Sequence, residues 1–221
     1  MSVRQKVALE LGIIAALTTV FLFLFPRRHP FVDMALAGFA LVCLAVSAGY
    51  TKKVIWAASP PLVTENRVKR CLRVTLWVTI PTALVFLTIG MFLGYREGGW
   101  PAAASRVFNW RILAAFGCYL PWALMQQTLF QFYLLGRLLA LFPKNQPMPA
   151  VIITGLCFSL VHLPDVWSSL VTAAAGVVWT FIYFRYRLLP PLAFSHAALG
   201  SAFYYGIFGH DLAVEWRAVL P

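Results

Sequence analysis

Three glutamines and two histidines set among apolar residues are the side chains of this sequence with chemistry to offer. The stretch Met125-Gln126-Gln127-Thr128-Leu129-Phe130-Gln131-Phe132-Tyr133 puts three amides within two helical turns, and Gln127 and Gln131, four apart, share a face. An amide both donates and accepts hydrogen bonds. In an apolar helix it either orients a water or peptide, or joins neighbouring helices for about 0.6–2 kcal/mol per contact. The histidines lie in two other apolar runs, Cys157-Phe158-Ser159-Leu160-Val161-His162-Leu163-Pro164-Asp165 and Phe194-Ser195-His196-Ala197-Ala198-Leu199-Gly200-Ser201. Histidine alone among side chains exchanges a proton near neutrality without help from its surroundings. Each histidine read singly is a structural residue. Two of them with an amide cluster, on three separate helices, have the makings of one pocket.

The elements that must carry these residues are membrane helices. Of 221 residues, 61% are hydrophobic and 11% charged, and the mean hydropathy is +0.79, far from the balance of a soluble domain. A spanning helix needs about 20 apolar residues. Runs at 7–25, 31–50, 71–95, 112–136, 149–163, 168–184 and 188–208 meet or approach that length, so the sequence predicts an all-α, polytopic bundle of about seven spans. The fifth and sixth runs are short and bounded by Pro147, Pro149, Pro164, Pro190 and Pro191, as in helices packed inside a bundle or lining a cavity. Residues 1–111 form three N-terminal spans with basic loops, 112–208 a core of four spans, and 209–221 a short tail. Little chain is left for a soluble domain. At about 1.5 Å per residue, Gln126 and Gln127 lie roughly 15 Å from the cytoplasmic end near Arg137, His196 roughly 12 Å from the end near Arg187 and His162 roughly 20 Å from the end near Met148, within one layer under about 10 Å thick.

The net charge of +11 suggests nucleic acid at first sight, but the basic residues cluster between apolar runs and form no basic stripe with interleaved aromatics. They read as membrane anchors. Arg4, Lys6, Lys52, Lys53, Arg67, Lys69, Arg70, Arg73, Arg137, Lys144, Arg185 and Arg187 fall on one side. Arg27, Arg28, Arg96, Arg106, Arg111 and Arg217 fall on the other. The two-to-one bias places the N-terminus in the cytoplasm. The first run ends in Phe25-Pro26-Arg27-Arg28 rather than in small residues, so a retained helix is expected there in place of a cleaved signal peptide. Cys43, Cys71, Cys118 and Cys157 lack CxxC spacing and act as small hydrophobes.

The polar residues, taken in order, resemble the CPBP family of intramembrane proteases, which includes CAAX prenyl proteases, Abi-type bacteriocin-processing and immunity proteins, and lysostaphin-resistance-like proteins. The family's motifs are EExxxR, FxxxH and HxxxN (or Asp). Here they read Gln126-Gln127-xxx-Gln131, Phe158-xxx-His162 and His196-xxx-Gly200. Between the last two, Gly176, Tyr183, Arg185, Leu189 and Leu192 look like the family's glycine-containing helix and basic turn, and the resemblance covers about residues 112–205. It implies that Gln126 stands where a glutamate activates water, His162 where that glutamate's partner stands, and His196 where an oxyanion donor stands. Both glutamates, the arginine and the asparagine are changed. A glutamine cannot take a proton near neutral pH, and a lost oxyanion donor typically costs about a hundredfold or more. Changing the acidic pair together with its arginine leaves no buried charge unpaired.

The family's former reading as a metalloprotease calls for three protein ligands, which two histidines without a carboxylate or thiolate partner do not supply. The sequence thus implies no metal and no cofactor. Asp165, three residues after His162, reads as a turn or helix cap rather than as a replacement acid. The resulting reading is a CPBP-family endopeptidase-like protein. It either hydrolyses a membrane-anchored or CAAX-like peptide with His162 as base, or binds that peptide without cutting it. The alternatives are an inactive relative serving as a membrane binding or immunity scaffold, and a small transporter or structural membrane subunit. The partners in every case are membrane lipid and membrane-anchored peptide or protein.

Overall fold

The structure, a computed structural model, describes residues 2–24, 35, 38–42, 45, 63–163 and 165–209. These residues are helical and turn structure, with no strand among them. The expected span at 31–50 falls largely outside the described residues. So do Pro164 and the expected tail beyond Gly209.

The first helix, α1 (Val3–Leu24), opens on a capping box. Ser2 Oγ accepts from the Gln5 backbone N–H at 3.3 Å, and Gln5 Oε1 accepts from the Ser2 N–H at 2.8 Å. Helix α2 (Glu65–Val107) is capped by Thr64, whose hydroxyl accepts from the Arg67 N–H. It is not one rod. Gly98 and Gly99 leave helical geometry, and Gly99 takes φ +69°, which favours glycine. Beyond this corner the chain returns on itself, so that a Cβ on Gly94 would stand 2.9 Å from Ala103 Cα. The pair Arg106–Glu97, 2.5 Å apart, closes the corner.

Helix α3 (Arg111–Gln127) begins where Asn109 accepts from the Arg111 N–H, and runs into a π-helical segment, Thr128–Leu134, and then α4 (Leu135–Leu141). Helix α5 (Met148–Leu160) starts on prolines, which suit a first turn that has no partner for their missing N–H. Helix α6 (Val166–Tyr186) runs from the Asp165 cap to Arg187, which adopts the left-handed conformation at φ 53°. Helix α7 (Pro190–Phe203) also starts on prolines and ends in a second π-helical segment, Tyr204–Phe208.

Among the described residues two helices, α2 and α6, are long and apolar enough to cross a membrane. The sequence predicts a short sixth element, but α6 has 21 residues, because capping at both ends extends it past 168–184. Helix α5 does stay short, at 13 residues. It buries Val151, Thr154, Gly155 and Phe158 on one face and exposes Ile152, Leu156 and Leu160 on another.

The chain divides into two compact units, one of Met1–Val63 with Met125–Arg187, the other of Thr64–Leu124 with Leu188–Pro221. In the first, α5 and α6 form a close hairpin. A Cβ on Gly155 would stand 2.5 Å from the Val177 backbone nitrogen, and one on Gly176 would stand 2.8 Å from the Gly155 oxygen. In the second, α2 packs on α7 and the segment after it, and its buried residues include Cys71, Thr75 and Thr79, spaced by fours, and Gly90 eleven residues further on. Thr79 and Ser195 hydroxyls meet at 2.6 Å, Phe86 and Phe203 rings at 5.2 Å, and Gly90 lies on Gly206.

Candidate functional site

In the first unit the amides sit where α3 gives way to the π-helical segment. Gln126 is 8% exposed, and Gln127 and Gln131 are fully buried. Among the described residues, Gln126 Oε1 and both amide atoms of Gln131 have no hydrogen-bond partner. Such atoms forgo about 1–3 kcal/mol each when they stay unmatched. A π-helical turn is itself a departure from the i→i+4 ladder that recurs at functional sites. The segment packs against α5 and α6, and Phe130 meets Phe158 edge-on at 5.1 Å.

Phe158 is fully buried and also touches Trp179, with ring centroids 5.7 Å apart, and His162, at 5.5 Å. The close approach of Gly155 and Gly176 holds it there, since a Cβ on Gly176 would come within 3.2 Å of Phe158. His162 is not on the helix as the sequence predicts. Helix α5 ends at Leu160, and His162 occupies the following turn, its N–H bonded to the Ser159 oxygen at 2.9 Å. Its Nδ1 lies 3.1 Å from the Phe158 carbonyl oxygen. A carbonyl only accepts, so Nδ1 is the donor in that bond, and in the neutral imidazole the lone pair then lies on Nε2. Asp165 is the cap of α6. It accepts from the Trp167 and Ser168 N–H groups at 3.1 and 3.2 Å and from the Ser168 hydroxyl at 2.5 Å.

The second unit holds His196 and Gly200, one turn apart on α7. His196 is 3% exposed. Its Nε2 lies 3.3 Å from the Tyr119 hydroxyl, and the two rings meet edge-on at 5.4 Å. Tyr119 carries no motif signal and is invisible to a reading that looks for His, Cys and carboxylates. Each unit thus assembles part of the polar set, Gln126, Gln127, Gln131, Phe158 and His162 in one, His196 and Gly200 in the other.

A further polar cluster in the first unit was not legible as such. Arg137 is fully buried, and its Nε lies 3.1 Å from both carboxylate oxygens of Glu10. The Tyr133 hydroxyl donates to the same carboxylate, and the guanidinium lies 4.8 Å from the Tyr133 ring centre. By sequence Arg137 reads as one of the basic membrane anchors. The signal that points to it is Glu10, a lone carboxylate in an apolar helix that calls for a named partner. Among the described residues no group of three or more His, Cys, Asp or Glu side chains is placed to hold a metal.

Compared with known families, residues 108–201 match the family model described as Type II CAAX prenyl endopeptidase Rce1-like. No curated protein and no solved structure matches the chain.

Proposed function

We propose that this chain, whose residues 108–201 match the type II CAAX prenyl endopeptidase family model, is membrane-embedded and binds a membrane-anchored peptide in that family's site without the family's carboxylate chemistry. The observation that carries this reading is the amide set. Gln126, Gln127 and Gln131 are buried where the family pattern has two glutamates and an arginine. A neutral amide cannot take a proton from water. It can match both halves of a peptide group, donating to the carbonyl and accepting from the N–H. Residues 112–208 are the binding core in this reading, residues 1–111 supply supporting spans, and the chain is multi-pass with a cytoplasmic N-terminus.

A second reading is favoured by one observation, the Nδ1 bond of His162 to the Phe158 oxygen. It leaves Nε2 as the basic atom, the state in which a histidine serves as general base. In that reading His162 activates the water and the amides orient it.

One experiment separates the two. The full chain in lipid nanodiscs is given a fluorescent farnesylated peptide, and binding and cleavage are followed for wild type, His162→Ala and Gln126→Glu. Binding without cleavage by wild type, with cleavage gained in Gln126→Glu, is the expected result. Cleavage by wild type that vanishes in His162→Ala establishes the second reading instead. Absence of both binding and cleavage in wild type overturns both.

A further inference from the structure

Gly200 and Tyr119 occupy one another's space. A Cβ added at Gly200 would stand 2.7 Å from Tyr119 Cε1 and 3.4 Å from Cδ1, so any side chain there displaces the ring. The bare backbone of α7 admits the ring. The histidine one turn earlier then holds it, through the edge-on contact at 5.4 Å and the 3.3 Å approach of the hydroxyl to His196 Nε2. Three observations thus fix one phenol against a buried imidazole. His196 is nearly inaccessible, while Tyr119 remains half-buried on the apolar helix α3.

We propose that Tyr119 is a ligand-binding residue whose hydroxyl, oriented by His196 and admitted by Gly200, donates a hydrogen bond to a backbone carbonyl oxygen of the bound peptide. The inference rests on the peptide-binding reading above and names the group of the peptide that is held. A phenol has one O–H to give and lone pairs to receive. With the proton of His196 on Nε2, the imidazole donates to the phenol oxygen, and the O–H is left to point at the ligand. The opposite tautomer would consume the O–H on Nε2. The approach of 3.3 Å is long for an N–H···O bond, and such contacts tighten when the acceptor oxygen itself donates onward. A neutral donor on an apolar helix is matched by a neutral acceptor, for which a peptide carbonyl qualifies.

The test uses the full chain in nanodiscs, the fluorescent farnesylated peptide, and the variant Tyr119→Phe, which keeps the ring in place over Gly200. Loss of one buried neutral hydrogen bond predicts affinity reduced about tenfold, together with a somewhat lower melting temperature, because the buried His196 N–H loses its acceptor. Nitrogen-15 spectra of labelled histidine supply a readout that packing alone does not set. His196 is expected to show a protonated Nε2, and its resonance is expected to move when the peptide binds to wild type. Wild-type binding with equal affinity in Tyr119→Phe overturns this inference and leaves the peptide-binding reading standing. A proton found on Nδ1 of His196 also overturns it, whatever binds. Failure of wild type to bind the peptide overturns both.

Discussion

Arg137 and Glu10 illustrate how a buried charge in an apolar helix is made tolerable. A guanidinium with no solvent exposure meets both oxygens of one carboxylate, and that carboxylate takes a further hydrogen bond from Tyr133. Removing one partner strands the other. Arg137→Leu is therefore expected to destabilise the chain by on the order of 3 kcal/mol, whereas Glu10→Leu/Arg137→Leu recovers most of the loss, because two apolar residues bury no orphaned charge. Unfolding in mixed detergent micelles measures both, and a double variant as unstable as the single one would count against the pair as the cause. Gln131 poses the opposite case. It is fully buried, and neither of its amide atoms finds a partner among the described residues. If it served as helix glue, Gln131→Met would loosen the fold. The ligand-binding reading predicts that Gln131→Met leaves stability equal or raises it by about 1 kcal/mol, while binding of the farnesylated peptide weakens. Stability without binding is the pattern expected of a site residue.

The helices themselves were largely written in the apolar runs. The expected 112–136, 149–163 and 188–208 correspond to helical stretches beginning at Arg111, Met148 and Pro190, because capping residues and prolines punctuate the chain where hydrophobicity breaks. What apolar patterning does not reveal is the local winding. The π-helical segments Thr128–Leu134 and Tyr204–Phe208 leave no periodicity to read over so few residues, and the turn that carries His162 is as apolar as the helix before it. Nor does a single segment disclose its close partner. Gly176 is visible as a glycine, yet its meaning comes from Gly155, with which it forms the α5–α6 crossing. Gly155→Ala would place a methyl 2.5 Å from Val177 backbone atoms, and overpacking of this kind predicts a loss of about 1–3 kcal/mol. Gly117→Ala, on exposed α3 backbone with nothing within 4 Å, serves as the matched control and is expected to gain up to about 1 kcal/mol in helix propensity. Equal melting shifts for the two variants would remove the crossing as the determinant of α5 placement, and hence of Phe158 and His162.

At the scale of the whole molecule, composition discloses the solvent before any fold is known, and α2 and α6 have the length and apolar character to cross a bilayer. The candidate site is legible in part. Motif spacing picks out His162, His196 and the amides, but not Tyr119, whose role arises only from the absence of a side chain at Gly200. The proposed orientation rests on charge alone, and two of the charges behind it, unlike the exposed pair Lys69–Glu65, are ion-paired with little solvent exposure. Arg137 is taken by Glu10, and Arg106 by Glu97 together with the Gly206 and Ile207 oxygens. One lies on each side of the proposed topology, so setting both aside leaves eleven basic residues against five, and the bias survives. It makes a definite prediction. In a chain with Cys43, Cys71, Cys118 and Cys157 replaced by Ala, the variant Gln146→Cys sits in an exposed turn on the cytoplasmic side, and Ser105→Cys on the far side. A membrane-impermeant maleimide added to intact cells is expected to label Ser105→Cys and to reach Gln146→Cys only after lysis. The reversed pattern inverts the chain. Labelling of both in intact cells means that the segments between Ser105 and Gln146 cross the membrane an even number of times, against the single crossing proposed for 112–136.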